Sequence, residues 1–388
     1  MLRVKLLGSR RRAIVVLAAG ALALTSAHAS ASGHRCPPGE TLRACAIGLV
    51  SQLVDPSRCP SETAPQPPSA QPAADRLQSL IDEVPCPQTG RVSFNTRDNA
   101  GDSMSVLDTL PSPAGGYLGV YHTEFRPLGR PWFADFRISL ARSSDLIHWT
   151  RAAVLDPTGA SMPTLRAIPG TPGYLLAYEK RRGDGGDFVR IRYYPSLFSL
   201  LANAYGAQRD IPRMFSPYNN GTPTILWVHW NGGLWRSVIG LGFHYESAPN
   251  GERGPDREAL GTLRRFRIWT AHTDPRTDAA LDQQGLGGSH GDWRQFSFEK
   301  GGWRLYEAQT AFDDFGTWRV VLEREPWGRM YPVTLTMGAQ PISSSFANPV
   351  AHVEPAPGGG GQVLVVTMFL FTARSPAERG ELVYYQPL

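Results

Sequence analysis

The sequence predicts an all-β fold, a five-bladed β-propeller, on three observations. A hydrophobic strand ending in a polar group recurs after residue 95: Gly116 to His122, Gly173 to Glu179 and Gly302 to Glu307 are its clearest copies, Ile239 to Glu246 is a weaker one, and Gln362 to Phe371 is almost wholly apolar. The copies fall in units of about 58 residues, long enough for four strands and a longer loop each. Between them Gly, Pro, Asn and Asp punctuate runs of Val, Ile, Tyr, Phe and Trp, as strands and tight turns require.

In chain order, residues 1–29 read as an export signal. Arg3, Lys5 and Arg10 to Arg12 precede the apolar run Ala13 to Leu24 and the cleavage-like Ala27-His28-Ala29, so the chain is expected to be secreted; Ser9 to Arg12 also fits twin-arginine export. Without that segment's five basic residues, 34 Lys and Arg face 34 Asp and Glu, and the neutral balance argues against nucleic acid as a partner. No later stretch is long and apolar enough to span a membrane, and the expected state is a monomer.

Residues 30–94 read as an extension. Its Cys36, Cys45, Cys59 and Cys86 are the chain's only cysteines, and in an exported protein an even set suggests two disulfides of undetermined pairing; no C-x-x-C pair supports zinc. Ser61 to Pro72 is a proline-rich linker or extended loop, and Ala73 to Val84 carries Leu77, Leu80, Ile81 and Val84 at the spacing of a short amphipathic helix. One short helix cannot bury its own stripe, so it should pack on the edge of the propeller over 95–388.

The blades are expected over Asp98 to Pro157, Gly159 to Pro212, Tyr218 to Gln284, Gly287 to Gly338 and Ser343 to Leu388. Entry strands align through Ser161 to Thr164, Gly221 to Thr224 and Ala347 to Val350. Third strands align through Phe136 to Ala141, Phe188 to Tyr193, Phe266 to Ala271, Trp318 to Glu323 and Glu381 to Tyr385. Ser196 to Tyr205 reads as a helical insertion, while Ala248 to Thr262 and Thr277 to Leu286 read as loops.

In Ser143-Ser144-Asp145-Leu146-Ile147-His148-Trp149 a strand runs into a Ser-x-Asp-Leu turn and then a tryptophan. This resembles the S-x-D-L-x-x-W blade motif of the five-bladed propeller glycoside hydrolases, the superfamily of arabinanases, β-xylosidases, levansucrases and invertases. The resemblance is clear over blade one and looser over the five-fold pattern. It implies a structural role for Asp145 and Trp149, and for active members three carboxylates around the axis. Asp102, before the first entry strand, fits that pattern; blade two's entry, Ser161-Met162-Pro163-Thr164, lacks an acid.

Corresponding ends of the copies should face one central cavity, so His122, Glu179, Glu246 and Glu307 are expected to converge there. Blade four holds the densest polar cluster, with His290, Asp292, Trp293 and Arg294 followed by Glu307. Paired carboxylates beside an arginine and a histidine are what separating an acid from a base requires. Asp102 or Asp292 is the expected base or nucleophile and Glu307 or Glu179 the acid. His290, Arg294, His122, Glu246 and Trp293 would bind substrate; no metal and no cofactor are expected. A buried ion pair that locks the blade is the competing reading of Asp292 and Arg294.

Gly287-Gly288-Ser289-His290-Gly291 matches the nucleophile-elbow pattern, which needs a strand before it and a helix after it. Trp132, Trp230, Trp235 and Trp293 offer faces for stacking on sugars. The expected function is hydrolysis or transfer at a glycosidic bond of an oligosaccharide or polysaccharide in the central funnel. The alternative is a carbohydrate-binding or surface-interaction propeller without catalysis.

Overall fold

From residue 105 to 332 each strand pairs antiparallel with its neighbour in sequence, and the pairing breaks after every fourth strand to give four sheets. The computed structural model describes residues 73–82, 90–126, 134–183, 186–333, 336–337, 340–341, 345–372 and 379–388. The signal segment, the proline-rich stretch, Trp132 and all four cysteines with their expected disulfides lie outside the described residues.

Helix α1 (Ala73–Asp82) and strand β1 (Arg91–Ser93) come first. Blade one is β2 (Ser105–Pro111), β3 (Tyr117–Phe125), β4 (Asp135–Ser143) and β5 (Thr150–Asp156). Blade two is β6 (Ala160–Ala167), β7 (Tyr174–Arg181), β8 (Asp187–Tyr194) and, after α2 (Leu197–Leu201), β9 (Ala207–Asp210). Blade three is β10 (Asn220–His229), β11 (Val238–Glu246), β12 (Asp256–Arg264) and β13 (Ile268–Thr273), followed by α3 (Pro275–Gln283). Blade four is β14 (His290–Phe298), β15 (Gly301–Gln309), β16 (Trp318–Arg324) and β17 (Arg329–Pro332). A small hairpin, β18 (Thr336–Met337) with β19 (Gln340–Pro341), leads to β20 (Ser345–Pro355), β21 (Gln362–Thr372) and β22 (Gly380–Pro387).

The fifth blade has only three strands of its own. Its outer strand is β1, paired through Arg91–Tyr385, Val92–Tyr384 and Ser93–Val383, so the N-terminal side of the chain closes the ring. The propeller therefore begins at Arg91 rather than at 95. First strands contact one another in the cycle β2, β6, β10, β14, β20, which places them around the axis.

Apolar alternation along the strands fills the layers between blades. Helix α1 joins this packing as its periodicity requires: Leu77 and Ile81 are buried with Phe298, Trp303 and Met368 between blades four and five, and Tyr384 donates from its hydroxyl to Leu80 O at 3.0 Å.

The expected third strand of blade three is corrected. Asp256–Arg264 is the third strand, beginning within the segment Ala248 to Thr262 that reads as a loop, and Ile268–Thr273 is the fourth. The aligned phenylalanine, Phe266, stands instead in the turn between them at φ 50°. Residues 275–283, also read as a loop, form α3, capped by Asp274 through Thr277 N and opened by Pro275 at the first turn. Asp274-Pro275 was the available signal. A helix before Ser289 and a strand after it reverse the order a nucleophile elbow needs.

The Ser143–Trp149 turn has the structural role the motif implies. Ser143 Oγ accepts from Asp145 N and Leu146 N at 3.1 and 2.8 Å, and Asp145 Oδ1 accepts from Ile147 N and His148 N at 3.0 and 2.8 Å. Burial opposes ionisation of Asp145, but these bonds and the His148 ring outweigh it and bring the carboxyl down to about 2. Trp149 then packs, 3% exposed, between blades one and five, close enough that a Cβ on Gly119 would stand 2.7 Å from its ring.

Removing this ring should empty a well-packed site: Trp149→Ala is expected to cost about 3–5 kcal/mol in urea unfolding. A loss below about 1 kcal/mol would show that the tryptophan is not a packing element.

Candidate functional site

The site is built on an irregularity common to all five inner strands. Pairing with the second strand slips between Ser105 and Asp108, Ser161 and Thr164, Gly221 and Thr224, His290 and Trp293, and Ala347 and Val350. At the second residue of four of these bulges φ turns positive: Val106 55°, Met162 49°, Thr222 39° and Asn348 53°. β-Branched side chains rarely adopt that conformation, so Val106 and Thr222 are strained and must be held there.

Side chains of neighbouring blades hold them. His122 Nδ1 accepts from Met162 N at 3.1 Å, and Glu179 Oε1 accepts from Thr222 N at 2.6 Å. Glu381 Oε2 and Oε1 accept from Val106 N and Leu107 N, both at 3.2 Å. Glu307 accepts from Asn348 N of blade five and, at 2.8 Å, from Asp292 N of its own blade. Because His122 accepts at Nδ1, its ring proton sits on Nε2, and burial pushes its pKa down to about 4.

Most of the sequence-expected site residues are held by protein partners. Asp292, His290, Arg294, Trp293 and Glu307 are at most 3% exposed. His290 is held by Asp278 of α3, Nδ1 to Oδ1 at 2.7 Å, and by Arg257 at 3.3 Å. Trp293 donates to Glu258 at 2.8 Å and stacks on Tyr306 at 5.3 Å, between blades three and four. Arg294 pairs with Asp292 and donates to Trp293 O at 3.0 Å and Pro163 O at 3.2 Å, crossing the axis from blade four to blade two. Asp102 lies away from this group, bound by Arg137 of β4 and Arg151 of β5. The exposed Trp235, and Trp230 with its ring tilted against Tyr193, lie in the segment joining β10 to β11.

Two of the expected residues do open to solvent together. Glu179 and Glu246 line a cavity of about 340 Å³ on the face where the inner strands begin, over blades two to four. Asp187, His244 and Asp256, which sequence reasoning missed, line it too, below a rim carrying Phe312 and Phe315, 49% and 60% exposed.

Their elements explain the convergence. Glu179 ends β7 and His244 and Glu246 end β11, while Asp187 and Asp256 open β8 and β12, the adjacent third strands. An aspartate opens the third strand in blades one, two and three, at Asp135, Asp187 and Asp256. That repeat was legible, and aligning blade three on Phe266 hid it.

The acids differ in their surroundings. Glu179 is richly solvated by protein: beyond Thr222 N, Oε1 accepts from Thr222 Oγ1 at 3.2 Å and Oε2 from Ser161 Oγ at 2.9 Å. Glu246 is bound by Arg253 and by Asn219 Nδ2 at 2.7 Å. Asp187 is raised to about 6, by burial and then by the charge of Glu179, against the lowering effect of Arg181, Arg213 and His244. Asp256 is also raised, by burial first, with Glu246 and Glu179 adding to it and His244 opposing. His244 Nδ1 is buried without a hydrogen-bond partner. Glycine at 221 permits the close approach, since a Cβ there would stand 2.2 Å from Glu179 Oε1 and 2.5 Å from His244 Nε2. Among the described residues no group of three or more His, Cys, Asp or Glu is arranged to hold a metal ion.

No protein-family model matches the sequence, and no curated protein matches it. Similar solved structures are glycoside hydrolases. The GH43_1 enzyme from Xanthomonas citri complexed with xylotriose is 10% identical, covers 78% of this chain and 91% of its own, and has a TM-score of 0.47. An α-L-arabinofuranosidase from Lactobacillus brevis is 12% identical over 73% of this chain and 90% of its own, at 0.45. A family 117 glycoside hydrolase of Zobellia galactanivorans is 13% identical over 77% and 90%, at 0.44.

Burial is the leading cause that raises Asp292 to about 7 and Glu307 and Glu381 to about 8. The folded chain keeps these protons where the unfolded chain has lost them, so stability should fall as pH rises from about 4.5 to 8. Glu307→Gln removes one such group and is expected to flatten the decline of melting temperature over that range; an unchanged slope would contradict it.

Proposed function

We propose that this chain is an exported, carbohydrate-active propeller that hydrolyses or transfers a glycosidic bond in the cavity over blades two to four. The observation that carries this reading is the pairing of two carboxyl groups with opposite environments at one open surface. Asp187 is raised to about 6 by burial and by Glu179, which suits a general acid. Glu179, whose oxygens accept from Ser161 Oγ and from Thr222 N and Oγ1, is held in place and suits a base or nucleophile. A glycosidic bond needs such a pair on its two sides.

The remaining groups fit the same task. Arg253 and Asn219 fix Glu246 beside the pair, where it accepts sugar hydroxyls, and His244 presents a ring whose Nδ1 has no protein partner. Phe312 and Phe315 supply exposed aromatic faces at the rim for an apolar sugar face. Asp292 and Glu307, closed off from solvent, support the floor rather than touch substrate.

A binding propeller without turnover is the second reading. It is favoured by the bond from Thr222 N, which gives Glu179 a structural use. Product analysis on arabinan, xylan, fructan and galactan separates the two. Asp187→Asn and Glu179→Gln are each expected to lower turnover on the responsive glycan about 10²–10⁴-fold. Glycan binding without products from the wild-type protein would establish the second reading.

Turnover that needs protonated Asp187 should decline as pH rises above about 6. A rate still increasing to pH 8 would remove Asp187 from the acid role.

A further inference from the structure

The axial bore opens on the opposite face as a second cavity of about 580 Å³, within the size range of small-molecule sites. All five inner strands line it, through their later residues. Arg294 stands at its closed end, where its bonds to Asp292 and Pro163 O span the axis. This cavity takes no part in the chemistry proposed above.

Its polar groups are unequally satisfied. Asp108 is fully used: His352 Nε2 lies 2.7 Å from Oδ1, and Leu165 N donates to Oδ2 at 3.1 Å. Glu354 Oε1 accepts from Thr109 Oγ1 at 2.7 Å, but Oε2 is buried with no partner, and the whole residue is 2% exposed. Arg294 Nε, also buried, has no hydrogen-bond partner and stands 3.7 Å from Asp108 Oδ2. Arg166 donates one bond, to Ile225 O at 2.8 Å, and forms no ion pair among the described residues. Burial lowers its pKa and the charge of Asp108 only partly offsets this, the sign of a cation that its surroundings do not fully compensate. A half-buried guanidinium with no carboxylate in direct contact has donors left for an anionic group.

We propose that this cavity is a second ligand site that binds a sugar acid, with the ligand carboxylate on the Arg166 guanidinium and its hydroxyls on Glu354, Gln295 and Ser297. A single negative charge suits the site. Arg166 attracts it, while the Asp108 carboxylate on the same wall disfavours a doubly charged group such as phosphate. Burial raises the Glu354 carboxyl, so in its neutral form it donates to a ligand hydroxyl from the oxygen that otherwise lacks a partner. Ile225 and Val353 offer apolar contact to the ring.

The test is calorimetric titration of the mature protein with galacturonate, galactose and inorganic phosphate, compared with Arg166→Met and with Ser297→Trp, which obstructs the mouth without touching the arginine. Galacturonate is expected to bind, and both variants to weaken it at least about tenfold, the loss of a charge-assisted contact or of access. Should Arg166→Met fail to fold, Ser297→Trp carries the comparison. Galactose or phosphate binding as tightly as galacturonate, no galacturonate binding, or binding unchanged in the folded variants would each overturn the proposal. Because the readout is binding at this face, it is independent of whether the opposite face turns over a glycan.

Discussion

Everything around the axis depends on one constraint, the bulge near the start of each inner strand. The bulge bends the strand into the funnel and turns amide groups out of the ladder, and a buried amide without an acceptor is costly. His122, Glu179, Glu307 and Glu381 reach from neighbouring blades to accept those bonds. The strain at Val106 and Thr222, on the order of 1–3 kcal/mol each, is offset by the same contacts. Acidic residues thus accumulate at the axis because the backbone there needs acceptors, before any chemistry is asked of them.

The second constraint is electrostatic. Burying carboxyls at this density is tolerable where they are protonated or matched, and Arg294 matches the innermost ones through Asp292 and Asp108. In doing so it closes the bore, leaving two cavities of unlike character. The one over blades two to four is rich in acids and rimmed by aromatics, while the one on the opposite face holds Arg166 in no direct ion pair among the described residues. The acid and base proposed above lie in the first, and the proposed anion site in the second.

Most of the ring was legible in sequence because alternation and turn residues repeat in every blade. What was not legible lay where one residue type serves two ends. Asp256–Arg264 reads as a loop because charged residues open it, yet its Glu258 is buried as the partner of Trp293. Strand β1 is too short to announce itself, and only its pairing with β22 shows that it closes the ring. At the site, Glu179 and Glu246 were named from the ends of their strands, but Asp187 and Asp256 depend on a third-strand alignment that Phe266 misdirected. Asp292 and Glu307 drew attention by their polarity, which does not reveal that both are buried or that Glu307 accepts from two backbone amides.

The central claim is that the working surface lies over blades two to four and not in the closed axis. A crystal structure of the protein soaked with the oligosaccharide it binds most tightly tests this directly. Sugar density is expected between Asp187 and Glu179, with a ring against Phe312 or Phe315. Density reaching Asp292 and Glu307, with Arg294 displaced from the axis, would contradict it.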